Sequence, residues 1–130
     1  MKYNNIIPLN NLAAKGVDFK LIGGNLTLVY STFSTKYEPN WNNKILFVED
    51  IGVSFRQLDR NLHQLLYKKN FNIKGIIFGR TFSLDPTTEQ ILTYKVALQK
   101  FAKKFNKPVY YYPVIAVSYT HLTLPTICSV

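Results

Sequence analysis

The chain has 130 residues, 47% of them hydrophobic and 18% charged, which suits one globular domain with a real core and excludes a disordered one. No apolar run approaches the roughly 18 residues that a membrane span needs, and the short apolar patch after Met1-Lys2-Tyr3-Asn4-Asn5 predicts no signal peptide. A single cysteine, Cys128, excludes an internal disulfide and fits a reducing compartment.

The net charge of +9 raises the question of a polyanionic partner. Most lysines fall where a helix would face water: Lys68, Lys69, Lys95, Lys100, Lys103, Lys104 and Lys107. No RNA-binding aromatic motif, zinc pattern or arginine-rich run accompanies them. Solvated helix faces are therefore expected, with no nucleic-acid partner and no membrane.

Residues 1–15, with four asparagines and Pro8, read as a linker or a truncated start. From Val17 to Ile22 apolar and polar residues alternate, as in a half-buried strand. Gly23-Gly24 should break that strand, and Asn25 can cap a helix carrying Leu26, Leu28, Val29 and Phe33. Two glycines before a helix can also suggest an anion site, but the motif is short and a plain strand-to-helix turn is the simpler expectation. Residues 37–43 are loop by composition.

Ile45-Leu46-Phe47-Val48 is a continuous apolar run, too short for a helix, and predicts a buried strand. Glu49 and Asp50 follow it directly. A carboxylate at the carboxyl end of a buried strand stands where open α/β sheets place their ligand crevices, which makes Glu49 the leading candidate site residue. Ser54, with Gln57 three residues on, opens the next helix, whose apolar stripe is Phe55, Leu58, Leu62, Leu65 and Leu66. On its other faces Asp59 can pair with Arg56, and His63 reads as a surface residue. Residues 73–79 give a second buried strand. Asp85-Pro86 should start a third helix with an apolar side of Ile91, Leu92, Val96, Leu98, Ala102 and Phe105, and Val109-Tyr110-Tyr111-Tyr112 a third strand. Strands and helices alternating at this spacing predict parallel βαβ units.

Leu21-Ile22-Gly23-Gly24-Asn25-Leu26-Thr27-Leu28, Tyr37-Glu38-Pro39, Lys44 through Gly52, Phe55 through Arg60, and Lys74 through Gly79 stand in the order and spacing of one family. Over roughly residues 16–115 the chain resembles the C-terminal domain of an LD-carboxypeptidase, a serine peptidase that trims muramoyl tetrapeptides; microcin-immunity peptidases are related. The resemblance implies an α/β fold, a swivelling β/β/α-type C-terminal domain with a mostly parallel sheet and flanking helices. It also implies an N-terminal domain bearing the serine nucleophile, and a C-terminal domain supplying a glutamate and a histidine. The glutamate is the first acid of the Glu-Asp pair, Glu49, which would orient the histidine and stabilise its charged form. No metal or cofactor is implied, the substrate would be a cytoplasmic muropeptide reached through the N-terminal domain, and the full-length protein could form a homodimer.

Three departures from the family pattern stand out. No Gly-x-Ser elbow precedes the domain. A second glutamate that the family often carries after the glycine is replaced by Val53. A Gly-His expected after Pro113 does not occur. His121 is instead followed by Leu-Thr-Leu-Pro, which is like the family's run after its histidine, but residues 118–126 resemble one reading frame of a transposon adapter used in sequencing libraries. Residues 116–130 are therefore expected to be a non-native tail, with Cys128 foreign and no apolar face matched to the core, and the chain is expected to be a gene fragment. Three functions compete: part of a muramoyl-tetrapeptide LD-carboxypeptidase that is inactive alone, a microcin-immunity-type peptidase, and a non-catalytic binding domain.

Overall fold

The computed structural model describes residues 6–15, 18–50, 54–79, 87–112 and 127–129. In chain order these form β1 (Ile7–Pro8), a 3-10 turn (Asn11–Lys15), β2 (Asp18–Asn25), α1 (Leu26–Thr32) and β3 (Lys44–Glu49). Then come α2 (Phe55–Tyr67), β4 (Gly75–Phe78), α3 (Thr88–Lys104), β5 (Val109–Tyr111) and β6 (Ile127–Ser129). The sheet order is β1-β5-β4-β3-β2-β6, with β2 to β5 mutually parallel and the two edge strands antiparallel. The architecture is thus α/β with a mostly parallel sheet, as the resemblance implies.

Because β2, β3, β4 and β5 are neighbours in sequence order, three successive right-handed crossovers put α1, α2 and α3 on one face of the sheet. Leu46, Val48, Ile76, Phe78, Val109 and Tyr111 face these helices and form the main core with Leu26, Leu58, Leu62, Leu65, Leu98 and Phe101. Strand alternation sends Ile45, Phe47, Ile77 and Tyr110 to the opposite face, where they cluster with Leu21 and Ala13. Both faces of β3 are buried, which explains its unbroken apolar run.

Several local expectations change. The glycine pair does not break β2. Gly23 pairs with Phe47 and lies so close to β3 that a Cβ on it would sit 1.8 Å from the Phe47 carbonyl oxygen. With φ of +141° at Gly23, the strand needs glycine there for both space and conformation. α3 is capped by Thr87 in a reciprocal capping box with Gln90 instead of starting at Asp85-Pro86, which lie outside the described residues. The 54–57 pair behaves as read, with the Ser54 side chain accepting from the Gln57 N–H. Asp59 meets His63, one turn on, at 3.7 Å on the surface, and is not held by Arg56.

The start of the chain is tied in from residue 6 onward. The Asn10 amide donates to the Ala102 and Lys107 carbonyls (3.2 and 2.9 Å) and accepts from the Ala13 and Val109 N–H groups (3.0 and 3.2 Å). That one side chain knots β1, α3 and β5 together, so its asparagine is structural and not linker composition. At the other end, residues 127–129 lie antiparallel against residues 18–20 of β2, where no separate element was expected. A ladder at a sheet edge is made by main-chain groups, so it accepts an extended segment with little regard to its side chains. His121 and Val53 lie outside the described residues.

The loop before β3 is ordered by Glu38. Its carboxylate accepts from the Ser34 N–H (2.6 Å) and the Trp41 indole N–H (2.8 Å) and pairs with Lys68 Nζ at 2.9 Å. Lys68 in turn lies over the Phe33 ring, 4.5 Å from its centroid. These contacts, the Ser34 N–H first and Lys68 next, lower the Glu38 pKa from 4.5 to about 2. A depressed carboxyl contributes stability that is complete above its unfolded value of 4.5 and is lost as pH falls towards about 2.

Gly23→Ala should cost about 3 kcal/mol or more and lower Tm by more than about 10 °C, since neither β2 nor β3 can withdraw without breaking the ladder. A Tm within about 3 °C of wild type would refute the close approach. Glu38→Gln should lower Tm at pH 7 by about 4 °C, for a group near the surface worth about 1 kcal/mol. Melts across the acid range should show the gap closing between pH 4.5 and about 2; an undiminished gap at the acid end would mean that charge is not the cause.

Candidate active site

Glu49 ends β3, opposite Asn25 of β2. Alternation along 45, 47 and 49 puts its side chain on the face away from the helices. An acid at the crevice of an open sheet, with no histidine over it, is expected to be at least partly accessible, but Glu49 is only 3% exposed. Among the described residues no hydrogen bond or ion pair reaches it. Burial, helped by the charge of neighbouring Asp50, raises its pKa above the ordinary glutamate value. A buried acceptor with no donor is costly and is expected where a partner group is to be received. The hydroxyl of Tyr110, on the same face, is also buried without a partner among the described residues.

Asp50 points the other way and is fully engaged. Its Oδ1 accepts from Asn25 Nδ2 (3.4 Å), and its Oδ2 accepts from the Thr27 N–H (3.3 Å) and from the Thr27 hydroxyl (2.5 Å). Asn25 itself caps α1, accepting from the Leu28 N–H at 3.1 Å. Adjacent acids therefore have opposite situations, one bound to α1 and one free.

The sequence profile of the LD-carboxypeptidase C-terminal domain matches residues 20–129. The chain belongs to the LD-carboxypeptidase family. A Rickettsia conorii protein named "Putative carboxypeptidase" is 36% identical over 110 residues, which are 82% of this chain and 33% of that protein. The "Probable murein peptide carboxypeptidase" of Bacillus subtilis is 43% identical over 58 residues, 45% of this chain and 18% of its own. Among solved structures, muramoyltetrapeptide carboxypeptidase from Oxalobacter formigenes superposes with a TM-score of 0.65 at 25% identity, covering 83% of this chain and 38% of that one. The MccF-like protein of Bacillus anthracis gives 0.60 at 25% identity, over 87% of this chain and 34% of that one. The chain thus spans about one third of the length of the relatives it matches.

Within this LD-carboxypeptidase domain, His63 is not brought to Glu49. It stands on the outer side of α2 with its Nδ1 2.8 Å from the Asp59 carbonyl oxygen, in a groove between α2 and α3 that Glu49 does not line. Thr27 was not singled out by the sequence. Its signal was its place two residues after the Asn25 cap, where a helix N–H seeks an external acceptor.

The free acid has a measurable cost. A glutamate whose folded pKa is raised resists ionisation in the fold, so its penalty is absent below the unfolded 4.5 and grows as pH rises through the folded value. Glu49→Gln should therefore raise Tm at pH 7, by about 4 °C for about 1 kcal/mol, and leave it unchanged near pH 4. A lower Tm at pH 7 would show that the carboxylate has a stabilising partner.

Proposed function

We propose that this domain supplies the triad acid of a serine-type LD-carboxypeptidase that removes the terminal D-alanine from muramoyl tetrapeptides in the cytoplasm during peptidoglycan recycling. The observation that carries the reading is Glu49: a buried carboxylate at the carboxyl end of β3, without a partner among the described residues, in a domain of this family. An imidazole docked on it would gain a fixed orientation and, once protonated by a serine hydroxyl, a compensating charge. The serine and its oxyanion site come from outside the matched residues, in keeping with relatives about three times as long. The chain alone is then inactive, because an acid without a nucleophile cannot form an acyl-enzyme. The murein-peptide name of the Bacillus subtilis relative favours this substrate over a microcin-type conjugate.

The test is a chimera in which residues 18–112 replace the corresponding stretch of full-length Oxalobacter formigenes muramoyltetrapeptide carboxypeptidase. It should release D-alanine from a muramoyl tetrapeptide, detected by mass spectrometry, whereas the 130-residue chain alone should release none above buffer. Glu49→Gln in the chimera should reduce kcat by about 10⁴, the scale of the comparable change in the serine-protease triad. A folded chimera whose activity is untouched by Glu49→Gln would sink the assignment and favour a binding domain.

A further inference from the structure

The triad reading leaves Asp50 without a role, although three donors hold its carboxylate. A helix as short as α1 (Leu26–Thr32) can be capped by one side chain, and Asn25 already does this. Asp50 adds a second tie, from the first turn of α1 to the residue that follows Glu49. We propose that Asp50 is a positioning residue: clamped by Thr27 and Asn25, it locks the end of β3 so that Glu49 projects in one direction, and it keeps a fixed negative charge behind Glu49 for a cationic partner. This rests on the assignment of Glu49 above.

The geometry supports both parts. Backbone freedom at the end of a strand would let a terminal carboxylate swing by more than the ångström that orientation-dependent catalysis tolerates. Here β2 pairs with β3 through Asn25 and Glu49, while Gly79 after β4 donates to the Val48 carbonyl at 2.8 Å. Asp50 closes the third side. The groups around Glu49 leave Asp50 as the source of charge: Asn25 opposite is neutral, Gly79 has no side chain, and Asp50 is the charged group that acts on Glu49 among the described residues. A second negative charge strengthens attraction for an imidazolium and makes the acid hold its own proton more tightly.

Carboxyl carbon NMR on the glutamate-labelled 130-residue chain tests this without any activity. The three glutamates, Glu38, Glu49 and Glu89, give three resonances, and Glu49→Gln assigns one. Asp50→Asn should lower the Glu49 midpoint by about one pH unit, about tenfold in proton affinity, with an unchanged circular dichroism spectrum. Thr27→Val, which keeps the charge but releases one tie, should move it the same way by less, and it serves if Asp50→Asn does not fold. A Glu49 midpoint unmoved in the folded variants would reduce Asp50 to a helix cap and overturn the proposal. In the active chimera, Asp50→Asn should shift the acid limb of kcat/KM downwards, since the histidine loses a stabilising charge, while KM stays put; an unshifted limb counts against it. Should the NMR shift appear in a chimera with no peptidase activity, the triad reading fails and the positioning of Glu49 by Asp50 survives.

Discussion

A carboxylate at 3% exposure with no donor among the described residues is an expensive group, because burial penalises its charged form unless a partner arrives. A domain that keeps such a group must hold it on a scaffold that cannot relax around it. Much of what is distinctive in this chain follows from that. β3 is buried on both faces, so its end cannot swing to water. Its neighbours β2 and β4 are fixed in register, and the helix above β2 is tied to the very next residue by Asp50.

The direction of Glu49 follows from topology. A monotonic order of four parallel strands forces all three crossover helices to one side. The odd positions of β3 then face away from them, and Glu49 is one of these. Tyr110 shares that face, and its buried hydroxyl has no partner among the described residues. Among the described residues, the helix face is finished mainly with aromatic and aliphatic packing, although the buried amide nitrogen of Asn61 on α2 also lacks a partner; the opposite face carries the acid that has none. In the triad proposed above, that face is the one that would receive catalytic groups from the rest of a protein about three times this length.

The sequence showed β3 and Glu49 because a fully buried strand is a run of apolar residues and needs no periodicity to be seen. It showed the Asn25 and Ser54 caps because capping depends on residues three apart. It misled where the controlling contact is distant. The Asn10 amide meets carbonyls more than ninety residues away, and local composition can only report asparagine, a turn residue. Gly23 looked like a strand breaker because a glycine pair usually is one; only the neighbouring strand reveals that it is there to let β2 and β3 come together. The exposure of Glu49 was misjudged for the same reason: burial belongs to the whole fold.

The division of labour between adjacent acids is the last step. Two neighbouring carboxylates along an extended stretch point to opposite faces, so Asp50 sees α1 and Glu49 sees the face away from the helices. Asp50 can be satisfied by the first turn of α1, and Glu49 cannot reach it. Had the order of roles been reversed, the free acid would lie beneath α1, closed to an incoming imidazole. The pair therefore has a polarity set by the pleat: the first acid is offered and the second is fastened. A rigid ladder from Gly23–Phe47 through Val48 carries that polarity to the rim, where, if Glu49 is the triad acid proposed above, a shift of an ångström in the acceptor would cost far more in rate than in stability.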